Sequence, residues 1–451
     1  MNRKYSRCLR LIGVALVTYH LSLVTSSAQP KSWTLRECCD YALAHNLQVR
    51  QQDNQVRQQE LKLSTARNSR LPDLSASVSE NFSFGRGLTA ENTYTNTNTS
   101  STSFSLGTSI PLFTGFQIPN NIKLNQLNLE ALTQDLEKAR NDIRTQVAQA
   151  YVQILYDMEI SDVAHRQISI DSMQVHRLQV MLDNGKASPA ELSQQKSTLA
   201  QSRLTATQAD NKLQLSILAL TQLLELPSPA GFSIVRPSVA SLESLASITA
   251  ISPEVIYEEA LATRPEVAAE QFRLQGMEKN IKIAQAGLYP SLSFTAGLGT
   301  NYYKTSGFSA DGFGKQLKNN FSQYLGLNLQ IPIFNRFSTR NNIRSARISQ
   351  ETQQLQLDYV KKGLYKEIQQ AYYNAMAAQE KLRSSEKAEQ AAMDAFTLMQ
   401  AKYENGKANL TEFNESKNNY MKSESDLVQA RYELLYQTHL LDFYRGRELD
   451  F

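Results

Sequence analysis

The chain has three cysteines, five histidines and only one long hydrophobic run, and each shortage removes a class of function. Cys8 lies ahead of that run rather than at its end, so it is not placed for lipid attachment. Cys38 and Cys39 are adjacent in a segment of helical pattern, where they do not bridge, and are expected as small buried residues. His45, His165, His176 and His439 are scattered without metal-ligand spacing. The tetrapeptide GFGK at 312–315 lacks the spacing and the Ser or Thr of a phosphate-binding loop. No nucleophile–base set can be recognised, so the sequence predicts no enzyme, no cofactor and no metal.

Excess charge is missing as well. Arg3, Lys4, Arg7 and Arg10 account for the formal net charge of +4, and beyond them basic and acidic residues balance. That balance leaves no electrostatic footprint for nucleic acid. The same four residues precede the apolar run from Leu11 to Val24, which is followed by TSSA at 25–28. Charged start, greasy middle and small-residue end are the order of a secretory signal, cleaved after Ala28. The run is too short and interrupted for a bilayer-spanning helix, which needs about 20 apolar residues. No later segment reaches that length, so any membrane passage has to be made by strands.

Proline is absent from Asn120 to Asp183 and from Ile333 to the end. Within these stretches Leu132, Leu136, Ala139, Ile143, Val147, Ala150 and Ile154 recur every three or four residues. Leu364, Ile368, Ala371, Ala375, Ala378 and Leu382 do the same. Such a stripe predicts long helices whose small residues allow close approach. About 65 residues give a rod of roughly 100 Å, which a globular core cannot use. Shorter helices are expected at 188–225, 409–445, 47–70 and 264–287, and one of each kind end to end matches one rod.

The chain also reads as one pattern written twice. The offset that carries Gly185 onto Gly406 carries IPLF (110–113) onto IPIF (331–334) and Ala150-Tyr151 onto Ala371-Tyr372. A slightly smaller one carries LPDL (71–74) onto YPSL (289–292) and Ala42-Leu43 onto Ala260-Leu261. Ordered matches at a steady offset indicate duplication. Repeat 1 is expected over 29–226, a link over 227–253 marked by Pro227, Pro229, Pro237 and Pro253, and repeat 2 over 254–451.

Each repeat holds two strands with period-two alternation, predicted at about 72–85 and 102–113, then about 290–303 and 321–334. Polar segments at 86–103 and 304–320 are expected as exposed loops. Pro72 and Pro290 mark helix-to-strand junctions, and Pro111 and Pro332 stand near the end of each returning strand, because proline lacks the amide donor. Four strands with one oily and one polar face cannot sit in lipid with open edges. The fold class expected is therefore an α+β membrane protein in which three chains of four strands close a twelve-stranded barrel, continued by a long helical barrel, which the family resemblance given below places in the periplasm. A soluble sandwich is the alternative, and the sequence offers it nothing to cover the Leu and Phe faces.

The pentapeptides DNGKA (183–187) and ENGKA (404–408) close two helical hairpins, with tips at about 184–188 and 405–409. Glycine ends each long helix, since it adopts positive φ cheaply. Ser188, Pro189 and Glu191, and likewise Asn409 and Glu412, then start the next helix.

Duplication, four strands, proline junctions, glycine tips, TLRECCDYALAHN (34–46) and LLDFYRG (440–446) together resemble the TolC family of outer-membrane efflux channels. The resemblance implies a homotrimeric exit duct in the outer membrane of a diderm bacterium, reaching into the periplasm and in contact with outer-membrane lipid. It implies docking by the tips on a periplasmic adaptor (membrane fusion) protein, and through it on an inner-membrane pump. Gly185, Lys186, Ala187, Gly406, Lys407 and Ala408 would be the docking surface. Acidic residues six and nine positions past the second tip glycine, here Glu412 and Glu415, would form a pore constriction; Glu412 also suits a capping box. A gating hydrogen bond would join Tyr403 to Glu191. Ala408 stands where the family's best-known member has an arginine. A soluble periplasmic coiled-coil scaffold or adaptor remains the rival reading, and it leaves the amphipathic strands without a purpose.

Overall fold

The computed structural model describes residues 32–88, 92–237 and 252–449. The signal expected at 1–28 and much of the expected link lie outside them. In chain order the first half contains β1 (Ser32–Trp33), α1 (Leu35–His45), α2 (Leu47–Asn68), β2 (Ser75–Leu88), β3 (Tyr94–Thr114), α3 (Gln117–Asp183), α4 (Pro189–Leu223) and β4 (Ser233–Ile234). The second contains α5 (Pro253–Thr263), α6 (Pro265–Gln285), a single 3₁₀ turn, β5 (Ser291–Thr305), α7 (Phe313–Asn319), β6 (Ser322–Gln330), α8 (Ser338–Glu404) and α9 (Leu410–Tyr444). Helices α3 and α8 have 67 residues each, and α4 and α9 have 35 each. At 1.5 Å per residue the two long helices are each about 100 Å long.

The chain divides into two compact units that cut across the halves. One gathers residues 48–141 and 253–369, and the other residues within 1–47, 142–252 and 370–451. The first unit carries the four-stranded sheet. Its sheet runs β2-β3-β5-β6, antiparallel throughout, so strands from the two halves meet at the β3–β5 pair. Cross-strand partners sort by face, broken by Gln323 opposite Leu298 and Glu80 opposite Thr102. Ala76, Leu106 and Leu298 share one row, Ile110, Phe294 and Leu327 another, and Phe113, Leu292 and Leu329 a third. The alternate rows are polar or small, such as Ser77, Ser105, Gly299 and Ser322. The apolar face is uncovered within one chain: Leu325 is 79% exposed and Leu327 69%. Among the described residues, the outer edges of β2 and β6 have no strand partner.

Three local differences from the sequence expectation have physical causes. β3 starts at Tyr94 rather than near 102, and pairs residue for residue with β2 from Leu88↔Tyr94 to Ser75↔Gly107. Its outer half is Thr, Asn and Ser on both faces, so it shows no hydrophobic period, though β-branched threonine suits a strand. The stretch 304–320 is not only loop: α7 forms there. β6 stops at Gln330, two residues before Pro332, whose missing N–H cannot continue a ladder. Pro111, by contrast, lies inside β3, where the register shifts between Pro111 and Phe113.

Both halves turn from strand to long helix through two successive residues of positive φ. These are Gly115 (61°) and Phe116 (67°), then Arg336 (55°) and Phe337 (62°). Below the sheet, Arg273 on α6 pairs with Glu270 and reaches Asp135 on α3, and Gln353 on α8 donates to Glu270.

The second unit holds the hairpins. Of the expected stripes, α3 buries Ile143, Val147 and Ile154 and α8 buries Ala371, Ala375 and Ala378, while Ala150 and Leu382 are half-buried and the neighbouring Tyr151 is buried instead. The parallel pair β1–β4 is fastened by Tyr151, whose hydroxyl donates to the Val235 carbonyl at 2.6 Å. Cys38 and Cys39 are buried and unbridged.

Candidate functional site at the hairpin tips

Both tips are built the same way. At the end of α3, Gly185 has φ +68°, its N–H donates to Leu182 O, and Lys186 N–H donates to Met181 O at 2.8 Å. At the end of α8, Gly406 has φ +69°, its N–H donates to Tyr403 O, and Lys407 N–H donates to Lys402 O at 2.8 Å. Paired bonds of this kind around a left-handed glycine satisfy carbonyls that the helix end leaves free. Each turn then runs into a capping box. Ser188 Oγ accepts from Glu191 N–H while the Glu191 carboxylate accepts from Ser188 N–H at 2.8 Å. Asn409 and Glu412 repeat the exchange at 2.9 and 3.0 Å. The chain therefore reverses within five residues with most tip amides satisfied internally.

The docking residues expected from the sequence split by exposure. Gly185, Lys186, Gly406 and Lys407 are exposed, whereas Ala187 and Ala408 are half-buried. Ala187 packs beside an apolar cluster of Leu178, Leu192 and Leu410, with Tyr403 against it. That cluster draws on α3, α4 and α9, so the two hairpins are joined immediately behind their tips.

The expected partners Tyr403 and Glu191 are not hydrogen-bonded to each other. The Tyr403 hydroxyl accepts from the Gln174 side-chain amide on α3, and the Glu191 carboxylate is held by its own helix start. The Tyr403 ring stacks on Phe413 at 4.9 Å, and the Arg177 guanidinium lies 5.3 Å from the ring centre. Burial pushes the Tyr403 hydroxyl above its ordinary range, so it stays neutral. Arg177 also donates to the Glu404 carbonyl at 3.2 Å, placing a cation against the end of α8. Thus a cation is supplied from the first hairpin, while Ala408 supplies none. Gln174 and Arg177 were not singled out by sequence. Their three-residue spacing on α3 was visible, but their partners lie 229 and 227 residues away.

Glu412 and Glu415 are both exposed on α9. One oxygen of Glu412 is engaged in the cap, which leaves the other and the whole of Glu415 open to solvent. Pro72 and Pro290 stand just before β2 and β5. Among the described residues no group of His, Cys, Asp and Glu is arranged to hold a metal ion, and no helix is long and apolar enough to cross a membrane.

Comparison with known proteins gives a consistent picture. The family model described as Outer membrane efflux protein matches twice, over residues 39–225 and 256–446. Outer membrane efflux protein BepC of Brucella suis biovar 1 (strain 1330) is 21% identical over 446 residues, covering 98% of this chain and 91% of that protein. The solved outer membrane protein VceC of Vibrio cholerae superposes with a TM-score of 0.74 at 19% identity, covering 92% of this chain and 97% of that one. The outer membrane channel CmeC of Campylobacter jejuni does so with a TM-score of 0.77 at 16% identity, covering 92% and 86%.

Proposed function

From the premise that this chain belongs to the outer membrane efflux protein family, we propose that it works as a homotrimer and passes cargo from a periplasmic adaptor and inner-membrane pump to the exterior. It is an outer-membrane exit duct for efflux, extending into the periplasm. Its family is one of outer-membrane channels, not of enzymes.

The observation that carries the trimer is the incomplete sheet. Four antiparallel strands with an uncovered apolar face and two open edges cannot stand alone in hydrocarbon, because every backbone group there needs a partner. Three copies joined β6 to β2 close twelve strands with apolar residues toward lipid and the Ser, Thr and Asn rows toward water. Strands of 9, 14, 15 and 21 residues suffice for the crossing, which takes about 9–11 residues at a tilt. The duplicated halves, with their repeated left-handed strand-to-helix turns, give each protomer two pseudo-equivalent staves.

The exposed Gly-Lys pairs of the two tips serve as the adaptor's docking surface, six per trimer. Glu412 and Glu415, one helical turn apart, line the mouth as a ring of carboxylates that favours cations. Tyr403 belongs to the gate, through Gln174 in the conformation described here. Glu191 holds its own helix start through one carboxylate oxygen in this conformation.

The test is assembly. Purified from outer-membrane fractions in detergent, the protein should scatter light as a trimer and carry cation-preferring current in planar bilayers. A water-soluble monomer would remove this reading.

A further inference from the structure

Behind the tips, α4 buries Leu192, Gln195, Leu199, Ser202, Ala206 and Ala209, the alternating three- and four-residue spacing of a coiled-coil seam. Two of its six positions are polar. Facing them on α3 is Asp171, seven residues after Ala164 and seven before Leu178, all buried. α9 contributes Lys417 from a seam that also buries Leu410, Phe413 and Met421. Asp171 and Lys417 are each 0% exposed and form an ion pair. The same Asp171 oxygen accepts from Gln195 Nε2 at 3.1 Å, and the other accepts from Ser202 Oγ at 2.6 Å. Asn414 on α9 donates to Gln195 Oε1 at 3.0 Å, extending the network into the second hairpin.

This layer has apolar neighbours on both sides. One heptad away from the tip lie Ala164, Ala206 and Ala209; one heptad toward it lie Leu178, Leu192 and Leu410. A buried ion pair is a poor way to add stability there, since taking both charges out of water offsets most of their attraction, and well-packed apolar side chains do as well. It is, however, intolerant of displacement. Apolar side chains that slip by one turn find other apolar side chains, whereas a slipped Lys417 or Asp171 is left buried and unpaired. A single polar layer in a coiled-coil seam fixes register in the same way.

We propose that Asp171 and Lys417 are positioning residues that lock the second hairpin in one register against the first, holding the tunnel mouth in the conformation described here against opening. The proposal rests on the channel reading above. It assigns Gln195, Ser202 and Asn414 the task of orienting the pair. Tyr403 and Gln174 then act as a lighter contact nearer the tip, while the buried pair makes opening an all-or-none step.

The test compares full-length trimers in planar bilayers. Asp171→Asn with Lys417→Met removes both charges without stranding either, so the protein should melt and assemble as the parent does. Its time-averaged conductance should rise about tenfold, the equivalent of ~1.4 kcal/mol. Gln195→Leu, which keeps the pair but removes one of its supports, should give a smaller rise of the same sign. Assembled variants that conduct no better than the parent would overturn the lock while leaving the channel intact. If parent and variants all carry no current where a control porin does, the channel reading fails and the lock with it.

Discussion

Gln316 stands in for a β-strand beside Tyr303: its amide oxygen accepts from the Tyr303 N–H and its amide nitrogen donates to the Tyr303 carbonyl, both at 2.9 Å. β6 pairs with β5 only as far as Gly299, so the outer end of β5 presents an open edge. α7 covers it. Thr300 Oγ donates to Leu317 O at 2.6 Å, Asn320 donates to Asn301 O at 2.7 Å, and Phe313 packs edge-on to Tyr302. Covering an edge prevents unwanted strand addition. Gln316→Ala should therefore speed hydrogen exchange at the Tyr303 amide by about tenfold, the equivalent of one or two lost hydrogen bonds. Unchanged exchange would show that α7 does not protect this edge.

Gly115 predicts a stability effect of a different origin. It sits at φ +61°, and a Cβ there would lie 2.6 Å from the Ala286 carbonyl oxygen. Both the backbone and the neighbour reject a side chain, so Gly115→Ala should cost about 1–3 kcal/mol. Gly314→Ala, with nothing within 4 Å of the new atom, should be close to neutral. Thermal melting of the two variants in the same detergent makes the comparison.

Cys38 should be chemically silent. Burial first, then the neighbouring Cys39 and Glu37, push its thiol from 9.0 to about 12. Since only the thiolate reacts, maleimide at pH 8 should leave Cys38 unlabelled in the native protein and label it in denaturant. The sign for stability follows from the raised value. The contribution is complete below about pH 9 and is lost as pH climbs from about 9 to 12, because only the unfolded thiol ionises in that window. Native labelling at pH 8, read by mass spectrometry, would contradict the burial.

Tyr403→Phe keeps the ring against Phe413 and under Arg177 but removes the hydroxyl that accepts from Gln174. The lost hydrogen bond is worth about 1 kcal/mol, so channel opening should increase by less than the Asp171/Lys417 double variant achieves. A larger effect from Tyr403→Phe would place the main restraint at the tip.

How much of this was legible follows the range of each signal. The 67-residue helices showed as proline-free stripes, and the tips as Gly185 and Gly406 followed by cap residues, because these patterns are local. The outer half of β3 was hidden, since Thr97, Ser101 and Ser103 look like loop when no apolar residue alternates with them. Arg336 and Phe337 gave no hint of positive φ, which sequence normally signals by glycine, as at Gly115. The Asp171–Lys417 pair spans 246 residues, and neither charge looks unusual alone. Its one visible trace was Gln195 and Ser202 interrupting the spacing of Leu192 and Leu199. The Tyr403–Glu191 bond was expected by resemblance, but Glu191 is an N3 glutamate with its own backbone amide to hold.

The carboxylates of the mouth give the last prediction, and their unequal duties separate it from a folding effect. Glu412→Gln retains a capping-box oxygen at N3, and Glu415→Gln touches nothing in the cap, so both should leave α9 intact. Neutralising both removes up to six negative charges from the proposed ring, and reversal potentials across a salt gradient should shift toward non-selectivity. Because exposed charges are screened over about 8 Å at physiological ionic strength, the shift should be largest in dilute salt and shrink toward 1 M. The Glu415→Gln variant should carry at least half of it, since its carboxylate has no competing partner. Identical selectivity in parent and double variant at low salt would show that these carboxylates do not face the conduction path.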